Sequence, residues 1–191
     1  MRKLIPTMLA ILAAQVAAPA LGSAGPHTYN VLLAGGDEPN MIRIWLTPSG
    51  SEYVIDSVVP LEVGGPICAN APGNPNELVC NAASIGGFEV NAGGGDDRVA
   101  VTRSVSIPVT MRGGRGNDFL LGGNGADKLQ GGTGNDRLVG WRGNDAIFGG
   151  PGRDTLIGGP GNDLLRGGPG VDLLLGGPGE NKLRQYGLYG N

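Results

Sequence analysis

Residues 113–184 read GGRGNDFLL GGNGADKLQ GGTGNDRLV GWRGNDAIF GGPGRDTLI GGPGNDLLR GGPGVDLLL GGPGENKLR, eight nine-residue units without a gap. Glycine fills the first and fourth positions of every unit, which marks backbone that takes a positive φ or lies close against a neighbouring segment. The eighth position is Leu120, Leu129, Leu138, Ile147, Leu156, Leu165, Leu174 and Leu183, whereas its two neighbours range from Lys, Arg and Gln to Thr, Phe and Leu. That pattern predicts a three-residue strand with one side chain pointing inward. The sixth position is Asp118, Asp127, Asp136, Asp145, Asp154, Asp163 and Asp172, and Asn181 in the last unit. A carboxylate therefore recurs in a glycine-built turn every nine residues.

The same register explains the composition. Of 191 residues, 38 are glycine and 14 proline, and 5 % are aromatic. Helical folds are disfavoured, because glycine costs about 1 kcal/mol and proline about 3 per helical position relative to alanine. A collagen fibre needs period three and a disordered low-complexity chain needs no period. Here 23 of the 38 glycines lie in the period-nine block, so a repeat architecture is the reading that remains.

A chain that alternates six-residue turns with three-residue strands buries its leucines by winding into a flat coil, two units per revolution. The expected fold is all-β: a parallel β-roll, or β-solenoid, with a β-rich capping region before it. Turns then stack along two edges. Asp118, Asp136, Asp154 and Asp172 fall on one edge, and Asp127, Asp145, Asp163 and Asn181 on the other. Carboxylates repeated at the strand spacing of about 4.8 Å need a counterion. Calcium suits them, since it takes six to eight oxygen ligands and a glycine turn offers backbone carbonyls beside each carboxylate. Zinc wants sulfur or imidazole, and magnesium prefers to keep its water shell.

The units resemble the G-G-x-G-x-D-x-U-x repeat of haemolysin-type, or RTX, calcium-binding proteins. The resemblance implies calcium held between stacked turns by Asp118, Asp127, Asp136, Asp145, Asp154, Asp163 and Asp172. It also implies carbonyl ligands from the turn glycines Gly114, Gly116, Gly123, Gly125, Gly132, Gly134, Gly143, Gly150, Gly152, Gly159, Gly161, Gly168 and Gly170. Two departures weaken the sites at their layers: Trp141 replaces a second-position glycine and Asn181 replaces the last aspartate.

Working towards the N-terminus, Ala92–Ala100 (AGGGDDRVA) fits the same template and is followed by an alternating Val101, Val105, Ile107, Val109 segment. A slightly enlarged coil places Asp97 under Asp118, which adds Asp97 to the metal set. Gly35–Arg43 is a degenerate unit with Asn40 at the aspartate position and Ile42 at the inward one, a first coil without a full calcium site. Met41–Leu46 and Glu52–Val59 read as strands joined by a TPSGS hairpin. Ser84–Asn91 reads as another strand. Residues 25–91 are thus expected to form an N-terminal β region, either the first layers of the same solenoid or a separate small domain. The roll spans 92–184, and 185–191 form a tail in which Tyr186, Leu188 and Tyr189 cover the last layer.

Residues 1–24 read as a secretory signal: Arg2 and Lys3, an apolar run from Met8 to Ala18, then small residues with a cut after Ala24. Its loss takes the formal charge from −3 to −5, an acidic balance that argues against nucleic-acid binding. No stretch is long and apolar enough to span a membrane. In an oxidising compartment the only cysteines, Cys68 and Cys80, are expected to form a disulfide.

The function expected is a secreted calcium-binding repeat protein of structural or interaction type, with calcium coupled to folding. An adhesin or matrix component binding cells or carbohydrate through the outer face is the alternative, and an accessory domain of a secreted hydrolase a further one. Catalysis is not expected. H-E-x-x-H and G-x-S-x-G are absent, His27 is the sole histidine, and Glu52, Asp56, Glu62 and Glu89 offer only scattered carboxylates. Outward Phe119, Phe148, Leu164, Leu173 and Leu175 point to a partner or to self-association.

Overall fold

The computed structural model describes residues 12–17, 29–57, 61–64 and 68–186. The strands are β1 (Leu12–Ala17), β2 (Tyr29–Ala34), β3 (Met41–Leu46), β4 (Glu52–Ser57), β5 (Leu61–Gly64) and β6 (Cys68–Ala71). β7 (Asn74–Asn81), β8 (Ile85–Gly94), β9 (Arg98–Val101), β10 (Val109–Arg115), β11 (Phe119–Leu121) and β12 (Lys128–Thr133) follow. The last are β13 (Arg137–Val139), β14 (Ala146–Phe148), β15 (Thr155–Ile157), β16 (Leu164–Pro169), β17 (Leu173–Leu175) and β18 (Lys182–Tyr186). A single 3-10 turn, Ala82–Ser84, is the helical element among the described residues, and none of their helices could cross a membrane.

The chain forms a β-solenoid. One sheet runs β18-β16-β14-β12-β10-β8-β2-β1-β5 and the other β17-β15-β13-β11-β9-β3-β4-β7-β6. Consecutive repeat strands alternate between the sheets, and strands one coil apart pair in parallel. The register stacks like on like. Leu33, Val90, Met111, Leu129, Ile147, Leu165 and Leu183 form one inward column. Ile42, Val99, Leu120, Leu138, Leu156 and Leu174 form the other. From Leu120 to Leu165 the eighth-position residues are wholly buried. Each buried side chain of this size contributes roughly 1.5–3 kcal/mol, and columns meeting face to face explain why no polar residue enters this position.

The ladders of the roll continue into the N-terminal strands: β8 pairs with both β10 and β2, and β9 with both β11 and β3. Beyond β3 the pairing turns antiparallel, through the hairpin β3–β4 and then β7 and β6. Cys68 and Cys80 face each other across β6 and β7 and form a disulfide. The fourth strand ends at Ser57, and Val58 and Val59 lie outside the described residues. The strand expected over 84–91 runs from Ile85 to Gly94.

The Val101–Val109 segment is not a continuous strand, because the enlarged coil must turn its second edge within it. The N–H of Val105 donates to the Thr102 carbonyl, tucking the buried Val105 into the bend, and a new strand begins at Val109. Part of the apolar run read as a signal, Leu12–Ala17, pairs antiparallel with β2. The remainder of residues 1–24, His27, and the tail residues Leu188 and Tyr189 lie outside the described residues. Leu183, inward by register, is 47 % exposed because the last coil has no layer over it among the described residues.

Candidate metal centre

The turn between each pair of strands is built by glycines at two kinds of position. Second- and fourth-position glycines such as Gly114, Gly116, Gly132 and Gly134 have φ between +117° and +133°, a region closed to side chains without strain. First-position glycines are needed for space instead. A Cβ on Gly113 would overlap Oδ2 of Asp118 and lie 2.6 Å from the Gly131 carbonyl oxygen, and the pattern repeats at Gly131, Gly140, Gly149 and Gly158. The aspartate of each unit therefore folds back over its own first glycine, beside a carbonyl of the next coil.

The carboxylates form two ladders. On the first edge Asp97 N–H donates to Asp118 Oδ1, Asp118 to Asp136, Asp136 to Asp154 and Asp154 to Asp172, at 2.8–2.9 Å. On the second edge Asp127 N–H donates to Asp145, Asp145 to Asp163 and Asp163 to Asn181, again at 2.8–2.9 Å. One oxygen of each group thus accepts a turn amide. The other does not. Oδ2 of Asp97, Asp118, Asp136, Asp145, Asp154 and Asp163 is buried with no hydrogen-bond partner.

Such an arrangement disfavours ionisation unless a cation is present. Burial pushes the carboxyl pKa of Asp136 and Asp145 up to about 7, and of Asp118 and Asp127 up to about 6. Asp97, Asp154 and Asp163 are raised by the same desolvation. Turn N–H bonds pull these values back, and for most of these residues neighbouring carboxylates push them further. Two ionised groups at the strand spacing repel by about 3 to 4 kcal/mol at an effective dielectric of about 20.

Among the described residues no three His, Cys, Asp or Glu side chains converge on one point. A cation here draws most of its ligands from backbone carbonyls, which matches calcium's preference for many oxygens and offers zinc nothing. The six bare oxygens and the adjoining carbonyl rows fit such an ion. Asp97, Asp118, Asp136 and Asp154 would hold it along the first edge, and Asp145 and Asp163 along the second, whereas Asp172 Oδ2 accepts from Gln185 Nε2 at 2.9 Å. The ion would supply the positive charge that lets these groups stay ionised when buried.

Trp141 does not interrupt the carbonyl row. Its backbone adopts φ 79°, the one positive φ at a non-glycine among the described residues, and its carbonyl meets Gly159 as the Gly132 carbonyl meets Gly150. Its ring lies under the Arg103 guanidinium, 3.4 Å from carbon to centroid. The turn holding Asp127 departs from the pattern. Gly123 and Gly125 lie outside the left-handed region, and Gly123 presents its N–H, not its carbonyl, to Asp127 Oδ2 at 2.8 Å. This turn stacks on the 102–108 bend rather than on a glycine turn. Asn181 places Nδ2 against the Gly177 and Gly179 carbonyls.

The remaining candidates separate. Asp56 pairs with Arg43, and Glu89 with Arg112. Phe119 is covered by Arg98 and Phe148 by Arg166, while Leu173 and Leu175 stay exposed. Sequence reasoning missed a row of fifth-position side chains: Asn117 Oδ1 accepts the N–H of Asn135, Asn135 that of Arg153, and Asn144 that of Asn162. Asn at the fifth position of four units was its signal.

The family described as RTX calcium-binding nonapeptide repeat (4 copies) matches residues 112–147, 121–156 and 148–183. No curated protein and no solved structure matches the chain. Residues 112–183 are RTX calcium-binding nonapeptide repeats, and calcium is their ligand.

Proposed function

We propose that the chain is an exported, non-catalytic calcium-binding roll whose folding is coupled to the ion. The observation that carries the coupling is the set of six buried aspartate oxygens without donors, five of them beside a first-position carbonyl of the next coil. Folding without a cation must protonate these groups or bury their charge unpaired, so the ion's binding free energy becomes folding free energy. Residues 113–184 carry eight acidic and eight basic residues, so the dependence is softer than in a roll of net negative charge. Modules built for extracellular calcium bind at about 10⁻⁴–10⁻³ M. Export is supported by Arg2, Lys3 and the apolar run that follows them.

Far-UV circular dichroism through a calcium titration, starting from chelated protein, tests the coupling. The β signal should rise over the millimolar range, in step with calorimetric binding. Unchanged β structure with no heat of binding would overturn the reading.

A second role, adhesion or self-association, is favoured by Val171, Leu173, Leu175 and Leu183, each between 47 and 54 % exposed around the last coil. Size-exclusion chromatography of the calcium-loaded protein should show mass rising with concentration, and Leu173→Lys with Leu175→Lys should abolish the rise. A monomer at all concentrations would remove self-association.

A further inference from the structure

The two aspartate ladders have four ends, and each end carries a nitrogen donor where the interior turns carry a bare oxygen. At the start of the first edge Asn40 Nδ2 donates to the Glu38 carbonyl at 2.7 Å and to the Ala92 carbonyl at 3.0 Å. At its finish Gln185 Nε2 donates to Asp172 Oδ2 at 2.9 Å and to the Gly170 carbonyl at 3.2 Å. The second edge begins with the Gly123 N–H on Asp127 Oδ2. It finishes with Asn181 Nδ2, 2.8 Å from the Gly177 carbonyl and 3.4 Å from that of Gly179.

The acceptors repeat. Glu38, Gly170 and Gly179 all occupy the fourth position of their units, and Ala92 is the first position of the coil above Asn40. In the interior the first-position carbonyls border the bare oxygens: a Cβ on Gly113 would meet both Asp118 Oδ2 and the Gly131 carbonyl. A primary amide placed there satisfies the carbonyls with its two N–H donors and carries no charge. A carboxylate in the same place adds another acceptor and requires a cation.

We propose that Asn40, Asn181 and Gln185 are stand-ins for calcium that close the terminal turns without metal and confine the ions to the interior of each ladder. The proposal rests on calcium binding by the interior aspartates. Its consequence is that the choice of aspartate or asparagine at the sixth position sets, turn by turn, whether a coil needs the ion.

The test counts ions on the full chain by calorimetry and equilibrium dialysis with calcium, alongside circular dichroism in chelator. Asn181→Asp should bind one more ion per chain than the unaltered protein and lose β signal in chelator. In the opposite direction, Asp145→Asn and Asp145→Ala should each bind fewer ions, but only Asp145→Asn should retain more β signal in chelator than the unaltered protein. If Asn181→Asp does not fold, the Asp145 pair decides. Equal ion counts for Asn181→Asp and the unaltered protein, or equal chelator signals for the two Asp145 variants, would overturn the proposal. An unaltered protein that binds no calcium would instead sink the reading beneath it.

Discussion

The backbone N–H of Asp118 donates to Oδ1 of Asp136, eighteen residues further on, at 2.8 Å, while Oδ2 of Asp136 is buried without a donor. One carboxylate therefore ties two coils together and faces a cation position. Asp136→Ala should lose both functions. Leaving the Asp118 N–H unpaired costs about 1 to 3 kcal/mol, and the calcium titration midpoint should move to higher concentration. Thermal melts in saturating calcium isolate the first effect, and a dichroism titration reads the second.

The raised carboxyl pKa values give the calcium-free roll an inverted pH dependence. A folded-state value above the unfolded one favours the protonated folded form, so this stability is fully present below the ordinary aspartate value of 3.8. It is lost as pH rises through about 6 to 7, the range reached by Asp118, Asp127, Asp136 and Asp145. In chelator the melting temperature should be higher at pH 5 than at pH 8. Calcium reverses the order, because the ion binds the ionised groups and releases their protons. Equal melting temperatures in chelator at the two pH values would contradict the burial of these groups.

Two glycine substitutions separate space from backbone conformation. Gly73 has φ +78°, and a Cβ there would meet nothing within 4 Å, so Gly73→Ala should cost only the strain of that φ, about 1 to 2 kcal/mol, with calcium binding intact. At Gly131 a Cβ would overlap Asp136 Oδ2 and lie 2.7 Å from the Gly149 carbonyl oxygen. Gly131→Ala should displace the carboxylate, lowering calcium affinity as well as stability. Calorimetric titration of both variants distinguishes them.

Trp141 sits at φ 79°, a strain of about 1 to 2 kcal/mol, and is stacked by Arg103, a contact worth about 0.5 to 1 kcal/mol at an exposed site. Trp141→Gly removes both and adds the backbone entropy of glycine, about 0.5 to 1 kcal/mol. These nearly cancel. Unfolding free energy in calcium should change by less than about 1 kcal/mol, and the number of bound ions should stay the same, since the carbonyl row is made by backbone.

The features legible in the sequence are those that repeat. The eighth-position column foretold Leu120 to Leu165 as the core, the eighteen-residue coil foretold which repeat aspartates stack, and one enlarged coil of 21 residues placed Asp97 beneath Asp118. Features set by a neighbouring coil were not legible. Gly123 follows a first-position glycine just as Gly114 and Gly132 do, yet its N–H goes to Asp127 Oδ2, in a turn that stacks on the glycine-free bend at 102–108. Asn181 looked like a weakened ligand, and only the positions of the Gly177 and Gly179 carbonyls show what its amide nitrogen meets. Leu183 is inward by period and exposed by position, a difference that belongs to the end of a stack.

The two ends of the roll are unlike: antiparallel strands β4, β7 and β6 extend the ladder past β3, whereas β17 and β18 end the parallel ladders. Because each coil touches only its neighbours, stability adds along the stack, and this asymmetry gives the molecule a direction of growth. The end synthesised first carries the disulfide and the Asn40 closure, a template on which later coils can be laid down as ions arrive. Loss should run the other way, with coils shed from β18 backwards as calcium falls. Hydrogen exchange during calcium withdrawal would then reach the amides around Leu174 before those around Leu120.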